Sequence, residues 1–299
     1  MVVLSGVGRG DLSDGEWARL EPTLPKSVGR GGRWQCHRRV INGILFRQRI
    51  GLPWRDLPPR FGNRKTVYDR HRRWSADGTW ERVLRTVQAD ADVEGRIDWS
   101  VVSVDSTVCR AHQHAAGAHH RVPGVLGGQR RPAEHRLDEA LGRSRGGLTT
   151  KIHLASDGSC RSLAALITPG QWGDAPQLLN VMDRVRVPRP AGGRPRTRPD
   201  HVCGDKAYGS RRNRLYLRRR QVRHTIPEPK NQKVNRRRRG SQGGRPTGFD
   251  STTCKRRNEA ERCFNALKGS RAVATRYDKR AYVFHGTVTL AAIRLWLRY

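Results

Sequence analysis

Three acidic residues stand out because each lies in a segment suited to hold it beside a polyanion. Asp105 follows the apolar run 101–104, Asp205 follows the short apolar run 202–204, and Glu261 lies in a stretch rich in lysine and arginine. Acids are scarce here, with 26 Asp and Glu against 60 Lys and Arg. Carboxylates that converge in a basic protein are typical ligands for divalent metal at a phosphodiester. The sequence therefore predicts a catalytic metal site made of Asp105, Asp205 and Glu261.

The charge of the chain indicates a polyanionic partner. Its 299 residues carry a formal net charge of +34, and the isoelectric point is near 11.5. Each phosphate that a cation neutralises releases condensed counterions, so a surface of this kind binds nucleic acid. We therefore expect a nucleic-acid partner, and charge alone leaves DNA and RNA open.

The cysteines and the apolar segments bear on the compartment. Six cysteines are scattered without a CxxC pair, and the chain opens without the pattern of a signal peptide. The longest apolar stretch, residues 281–299, is interrupted by His285, Arg294 and Arg298, so it is not expected to span a bilayer. These features predict a cytoplasmic protein with no membrane contact.

The acidic residues must be positioned by a sheet, because strand and helix patterns alternate from about residue 97. Three predicted strands come first and are antiparallel, and helix-linked strands that should pair in parallel follow. This order predicts an α/β fold with a mixed five-stranded sheet and helices on both faces. The predicted strands are Val101–Val108, Leu148–Ala155, Ser162–Thr168, His201–Asp205 and His224–Ile226. The predicted helices are Ala175–Val185, Arg211–Arg220, Lys255–Lys268 and Tyr282–Leu297.

Residues 11–92 read instead as a small all-α domain. A capping box at Ser13 and Glu16 predicts the start of its first helix, and apolar stripes predict three more. The third, over about 65–74, suits the recognition helix of a helix-turn-helix unit, with an ordinary solvated basic helix as the alternative. The cations expected on its outer face and on DNA are Arg64, Lys65, Arg70 and Arg73.

These patterns divide the chain in two. We expect an N-terminal helical DNA-binding domain over residues 1–95 and a catalytic domain over residues 96–299. Three basic segments in the catalytic domain are expected to be loops, at 113–147, 186–200 and 227–250.

Five separated motifs in this order resemble those of the DDE transposases of bacterial insertion sequences, of the IS4 and IS5 kind. Three of them hold the acids: Val104–Thr107, Gly204–Tyr208, and Arg257 with Glu261 and Lys268 at spacings of four and seven residues. The segments Gly170–Asp174 and Thr275–Lys279 follow the family pattern as well, and Trp54–Pro58 resembles its N-terminal domain.

The resemblance implies an RNase H-like fold in which Asp105, Asp205 and Glu261 bind Mg²⁺ or Mn²⁺, as two ions. The protein would then bind the terminal inverted repeats of an insertion sequence in double-stranded DNA, cleave them and transfer the strands to a target. It would work in the bacterial nucleoid as a homodimer on paired ends. Arg257 and Lys268 would bind the phosphate backbone of the transposon-end DNA.

Two neighbouring cations, Lys206 beside Asp205 and Arg262 beside Glu261, are expected on the same DNA. The family signature has a tyrosine where this chain has Cys254, which leaves two alternatives open. One is a catalytically decayed, DNA-binding descendant of a transposase, and the other is an RNase H-like nuclease without joining activity.

Each acid also has a structural alternative. Asp105 could form a strand-end salt bridge, and Asp205 could cap the turn that follows it. Glu261 could form a surface ion pair with Arg257 or Arg262. Glu259 is a rival for the role of Glu261, but its helical position turns it away from Arg257.

Overall fold

A computed structural model describes residues 8–26, 34–117 and 139–298 of the chain. Most of the basic segment expected as a loop at 113–147 lies outside the described residues, at 118–138.

The N-terminal part is helical, as predicted. Its first helix begins at the predicted capping box: the backbone N–H of Glu16 donates to Ser13 Oγ (3.1 Å), and that of Ser13 donates to Glu16 Oε2 (2.9 Å). The second ends at Gly51, whose φ of 76° is the left-handed conformation that glycine adopts without strain. The four helices are α1 (Asp14–Leu20), α2 (His37–Ile50), α3 (Arg64–Ala76) and α4 (Thr79–Val93).

A single mixed sheet forms the centre of the rest of the chain. Its strands are β1 (Val102–Ala111), β2 (Gly142–Ser144), β3 (Gly147–Ser156), β4 (Ser162–Pro169), β5 (His201–Gly204), β6 (Arg223–Thr225) and β7 (Thr275–Arg276). The five predicted strands lie in the order β4-β3-β1-β5-β6. The first two pairings are antiparallel and the last two parallel, as predicted. This is the mixed sheet that the sequence predicted, to which β2 and β7 add two short strands on β3 and β1.

The remaining helices are α5 (Gln113–Ala116), α6 (Gln177–Arg184), α7 (Arg211–Arg219), α8 (Lys230–Arg238), α9 (Ser251–Lys255), α10 (Asn258–Lys268), α11 (Arg271–Ala274) and α12 (Ala281–Leu297). Helices cover both faces of the sheet. Asp174, just before α6, contacts Ser106, and Lys268 of α10 contacts the adjacent Thr107. Successive side chains of a strand point to opposite faces, so α6 and α10 lie on opposite faces. Within the described ranges, no helix is long and apolar enough to cross a membrane.

Two segments expected as loops contain regular structure. Residues 113–147 begin with the four-residue α5 and include β2. Residues 227–250 contain α8 and a short 3₁₀ helix, Gly240–Gly243. The helix occupies the stretch between Pro229 and Gly240, which has no internal helix breaker and is rich in residues of high helix propensity. None of the residues of α8 is buried, so the sequence has no apolar stripe that would predict this helix. Segment 186–200 is irregular apart from one bridge between Val187 and Arg196.

The last helix joins the two parts of the molecule. α12 packs on α3 and α4 as well as on β4. Fourteen of its residues are buried, which makes it the central element of a continuous core. The helical N-terminal part therefore shares its core with the C-terminal helix, and the division at residues 95 and 96 stays a prediction.

Candidate active site

Asp105 and Asp205 come together at the two central parallel strands. Val104 of β1 pairs with Gly204 of β5; Asp105 is the next residue of β1, and Asp205 is the first residue after β5. Asp105 Oδ1 accepts a hydrogen bond from its neighbour, the N–H of Ser106 (2.8 Å). Asp205 Oδ1 accepts one from the N–H of Ala207 (2.8 Å) and so caps a 3₁₀ turn. The turn cap considered for Asp205 is thus present.

Glu261 approaches this edge on α10. The helix is anchored by a stripe of buried residues, namely Ala260, Cys263, Phe264 and Leu267. Glu261 lies off that stripe, with its side chain 53% exposed, and Arg257 Nη2 lies 3.4 Å from its Oε1. The ion pair considered for Glu261 therefore also exists. An exposed pair at this spacing is worth only about 0.3–0.5 kcal/mol, so it leaves Glu261 free to accept another partner.

The three carboxylates are close enough to affect one another's charge. Burial is the main cause that raises the pKa of Asp105, and the charges of Asp205 and Glu261 raise it further. The N–H of Ser106 and the charge of Arg257 oppose the rise. Asp205 and Glu261 therefore lie within electrostatic range of Asp105, and repulsion among the three carboxylates favours the binding of a cation.

The chemistry of this donor set fits a hard divalent cation. Carboxylate oxygens are the ligands that Mg²⁺ prefers, and it needs only a few because it keeps several waters. Among the described residues, no three acidic, histidine or cysteine side chains stand close enough together to hold a metal ion as placed. Glu261 is turned toward Arg257 instead. The assignment of Asp105, Asp205 and Glu261 as metal ligands therefore stays a proposal.

Glu259, the rival of Glu261, is engaged elsewhere. Its Oε1 accepts a hydrogen bond from Arg256 Nε (2.8 Å), and the same guanidinium donates to Asp98 Oδ2 (2.7 Å). Burial raises the pKa of Glu259. The residue tethers the start of α10 to the segment before β1, which confirms that it faces away from Arg257.

Two of the four predicted DNA-binding cations of this part of the chain lie beside the carboxylates. Lys268 Nζ donates to Thr107 Oγ1 (2.6 Å), two residues beyond Asp105 on the same face of β1. Arg257 pairs with Glu261, whereas Lys206 and Arg262 are exposed. The structure thus brings Arg257 and Lys268 to the edge that holds the acids, and the contact of all four cations with DNA stays a prediction.

The position of the signature tyrosine is filled by Cys254 on α9. Its side chain is half-buried, and the neighbouring Thr253 accepts a weak hydrogen bond at its carbonyl from Cys203 Sγ (3.4 Å). Cys203 lies on β5, two residues before Asp205. α9 therefore packs directly on the strand that carries the second aspartate.

One prediction on the third helix is wrong. Arg64, Lys65 and Arg73 are exposed as expected, but Arg70 is only 6% exposed and does not face outward. Its guanidinium lies 4.4 Å from the Trp34 ring and 5.2 Å from the Trp74 ring. It also contacts His37 Nδ1 at 2.7 Å.

The physical reason is helical geometry. Position 70 lies three residues after the buried Val67 and four before the buried Trp74, so it falls on their stripe. The flat guanidinium is tolerated there because aromatic rings replace part of its hydration. Arg70 is therefore a packing residue, whose side chain is not available to contact DNA.

Sequence reasoning missed a polar cluster behind the first strand. Asp174 Oδ1 accepts hydrogen bonds from Ser106 Oγ (2.7 Å) and Lys151 Nζ (3.0 Å). The buried His153 has its Nδ1 3.7 Å away, and the charge of Asp174 also reaches the buried Tyr208 hydroxyl. Through Asp174, the cluster links β1 to β3 next to Asp105. The motif Gly170–Asp174 pointed to Asp174 in the sequence. Its contacts with β1 and β3 could not be predicted, because sequence spacing does not show which elements meet in the fold.

Two family models match the chain. One, described as "Putative transposase of IS4/5 family", matches residues 12–84. The other, described as "Transposase DDE domain", matches residues 98–295, about two thirds of the chain.

Individual relatives and solved structures were also found. The "Putative transposase for insertion sequence element IS6501" of Brucella ovis is 30% identical over 151 residues, which are 50% of this chain and 100% of the relative. The uncharacterized protein y4sN of Sinorhizobium fredii is 37% identical over 108 residues, 36% of this chain and 82% of the relative. The Mos1 mariner paired end complex with Mn is 13% identical, with 94% of this chain and 83% of that chain covered. Its TM-score is 0.28, too low to support any argument about this chain.

Proposed function

This chain belongs to the transposases that carry a DDE domain, and we propose that it binds the terminal inverted repeats of an insertion sequence, cleaves them and joins the strands to target DNA. The observation that carries the proposal is that Asp105 and Asp205 directly follow the paired residues Val104 and Gly204 of adjacent strands, with the charge of Glu261 in range of Asp105. The chain as a whole is strongly cationic, so phosphodiesters are the substrate that its field attracts.

We further propose Mg²⁺ or Mn²⁺ as the cofactor, bound as two ions by Asp105, Asp205 and Glu261. Ions held there would supply the activation of a water or a 3′-hydroxyl and the stabilisation of the leaving oxygen. Binding would relieve the repulsion that raises the pKa of Asp105. Arg257 would then lose Glu261 as its partner and become available to a DNA phosphate.

The other predicted DNA-binding cations lie on both parts of the molecule, so bound DNA would contact both. Lys206 follows Asp205 in the chain, Arg262 follows Glu261, and Lys268 contacts the strand that carries Asp105. Arg64, Lys65 and Arg73 lie exposed on α3. We propose that the first group holds the phosphates next to the cleaved bond and the second group holds the inner part of the repeat. Two copies of the chain on two paired ends would complete the assembly.

The test is cleavage of a labelled duplex that carries the inverted repeats flanking this reading frame. The wild type is assayed with Mg²⁺, with Mn²⁺ and with EDTA, beside Glu261→Gln and the control Asp183→Asn, an exposed acid of α6. We expect metal-dependent nicking at the repeat terminus, lost in Glu261→Gln and kept in the control. Equal cleavage by Glu261→Gln would remove Glu261 from the site.

The same assay separates the two alternatives. Tight, specific binding without cleavage under any metal condition would indicate a decayed, DNA-binding descendant. Cleavage without strand-transfer product from a pre-cut 3′-hydroxyl end would indicate a nuclease that does not join. Nothing in the part of the chain that the structure describes favours the decayed alternative, and the residues Asp105, Asp205, Glu261, Arg257 and Lys268 are all retained in the sequence.

A further inference from the structure

A cavity of about 670 Å³ lies between the helical N-terminal part and the sheet. Trp54 and Tyr68 line it from the N-terminal side, and His112 and Tyr277 line it from the end of β1 and from β7. Its volume is within the roughly 300–1,000 Å³ that is usual for small-ligand sites. It is separate from the carboxylate edge, and no role described so far uses it.

The walls of the cavity are aromatic. The rings of Trp54 and Tyr68 lie 5.4 Å apart, and those of His112 and Tyr277 lie 4.9 Å apart. Flat rings of this kind offer stacking surfaces to a planar ligand.

The rim of the cavity is cationic. Lys65 and Lys279 are exposed and line it, and neither pairs with an acid among the described residues. The one acid in the lining, Asp278, is already paired with Arg47, whose Nη2 lies 3.1 Å away. A cavity with flat aromatic walls and unpaired cations at its rim has the chemistry of a nucleotide site: rings stack on the base, and ammonium groups hold its phosphate.

The position of the cavity relates it to the cleaved bond. His112 directly follows β1, seven residues after Asp105. At about 3.3 Å per strand residue, the two lie roughly 20 Å apart. Lys268, which contacts Thr107 and the carbonyl of Val108, lies between them. A DNA strand that followed β1 from the carboxylates would reach the cavity after about six nucleotides.

We propose that this cavity takes one unstacked nucleotide of the transposon-end DNA, about six nucleotides from the cleaved phosphodiester. The base inserts between the aromatic walls, and Lys65 and Lys279 hold the phosphate. The inference rests on the proposed function, since it needs the chain to bind its own inverted repeats. It explains why the cavity is built from both parts of the chain: DNA that enters it must contact both.

The experiment measures the affinity of the protein for repeat duplexes that carry one of two lesions, placed in turn at nucleotides three to ten from the cleaved bond. A mismatch and an abasic site both abolish base pairing, but only the mismatch retains a base that can stack in the cavity. We expect the wild type to bind the mismatched duplex at least about fivefold more tightly than the abasic one at a single position, since stacking of one base is worth about 1–3 kcal/mol. Elsewhere the two should bind alike.

The variants assign that difference to the cavity. Tyr277→Leu should bring the ratio at that position below about twofold, whereas Tyr277→Phe keeps the ring and should keep the ratio, with both variants checked for their melting temperature. The proposal would be overturned if the wild type bound the repeat tightly but bound both lesions equally at every position. The cationic rim would then contact the backbone of an intact duplex. Failure of the proposed function differs: the repeat duplex would bind no better than unrelated DNA.

Discussion

The three acids of the site differ in how far water reaches them. Asp105 is half-buried in the middle of a strand, whereas Glu261 is more than half exposed on a helix. The less hydrated carboxylate has the raised pKa, and the more exposed one is held only by a weak pair with Arg257. In the proposed metal site, the strand would fix the position of a metal and Glu261 would exchange Arg257 for it.

Substitution of Asp105 should change stability in a metal-dependent way. Because its pKa is raised in the folded protein, ionisation of Asp105 costs folding free energy. In EDTA, the wild type should therefore lose stability as pH rises through the ordinary aspartate range and up to the raised pKa, and Asp105→Asn should not show this loss. At neutral pH, thermal unfolding in EDTA should show the variant to be at least as stable as the wild type.

Added Mg²⁺ should reverse that order. At the proposed metal site, divalent cation should bind the folded wild type and raise its melting temperature, whereas the variant would lack one of the proposed ligands and should gain little. If Asp105→Asn were the less stable protein in EDTA at neutral pH, the pKa argument for Asp105 would be wrong.

Lys268 should act on DNA binding more than on the chemical step. Its ammonium is anchored by Thr107 two residues from Asp105, so it is placed to hold a phosphate rather than to transfer a proton. Lys268→Met should weaken binding of the repeat duplex and lower the slope of log affinity against log salt by about one. Cleavage at saturating protein should change less than binding. Lys26→Met, an exposed lysine near α1, is the control and should leave affinity for the repeat unchanged.

At the scale of elements, the sequence predicted the framework because apolar periodicity follows burial. The four N-terminal helices, the five main strands and α10 all lie within a few residues of their expected bounds, since each has a buried stripe or run. β2 and β7 were missed because strands of three and two residues carry no period. α8 was missed because a helix with no buried residue leaves no apolar stripe.

The site was predictable in its acids but not in its surroundings. Asp105 and Asp205 lie next to apolar strand cores, which fixes them at one sheet edge once the strand order is known. Asp174 and Lys151 lie on separate elements and meet only through the fold. Arg70 shows the opposite case: its position on the buried stripe was readable, but a charged residue at such a position is expected to face water.

The two arginines of α3 provide a matched test of that correction. Arg70→Ala removes the stacking on Trp34 and Trp74 and leaves a gap, so it should lower the free energy of unfolding by about 1–3 kcal/mol. Arg73→Ala should change stability by less than about 0.5 kcal/mol, because its side chain is exposed. Urea unfolding measures both.

DNA binding should rank the same two variants in the reverse order. Arg73→Ala should weaken binding of the repeat duplex several-fold, and Arg70→Ala should leave it nearly unchanged at temperatures where the variant is folded. A large loss of DNA affinity in folded Arg70→Ala would restore Arg70 to the binding surface.

At the scale of the whole molecule, a buried hydrogen-bond chain connects the two parts. The indole N–H of Trp80 donates to His71 Nδ1 (3.2 Å), and His71 Nε2 contacts Thr287 Oγ1 (3.1 Å) on α12. Thr287 Oγ1 lies 2.9 Å from Asp278 Oδ2, and the carboxylate of Asp278 pairs with Arg47 of α2. A neutral imidazole fits this chain, because Nδ1 must accept while Nε2 donates.

His71 should therefore make the free energy of unfolding depend on pH, because it lies in the hydrogen-bond chain that connects the two parts of the molecule. Burial lowers its pKa from 6.5 to about 4, so its contribution to stability is complete above pH 6.5 and is lost as pH falls toward 4. The loss by pH 4 should be about 3 kcal/mol. Protonation would place a second donor opposite the indole N–H of Trp80 and break the chain at its centre. Urea unfolding followed by tryptophan fluorescence at pH 7.5, 6.5, 5.5 and 4.5 measures this loss.

The variant His71→Gln isolates the contribution of this one residue. It should be less stable than the wild type at pH 7.5, because the amide fills the site imperfectly, but its stability should fall less steeply between pH 6.5 and 4.5. His114→Gln, an exposed histidine, should keep the wild-type slope. Since α12 packs on α3, α4 and the sheet alike, the loss should appear as one transition of the whole molecule. Separate melting of the N-terminal helices at low pH would contradict the shared core.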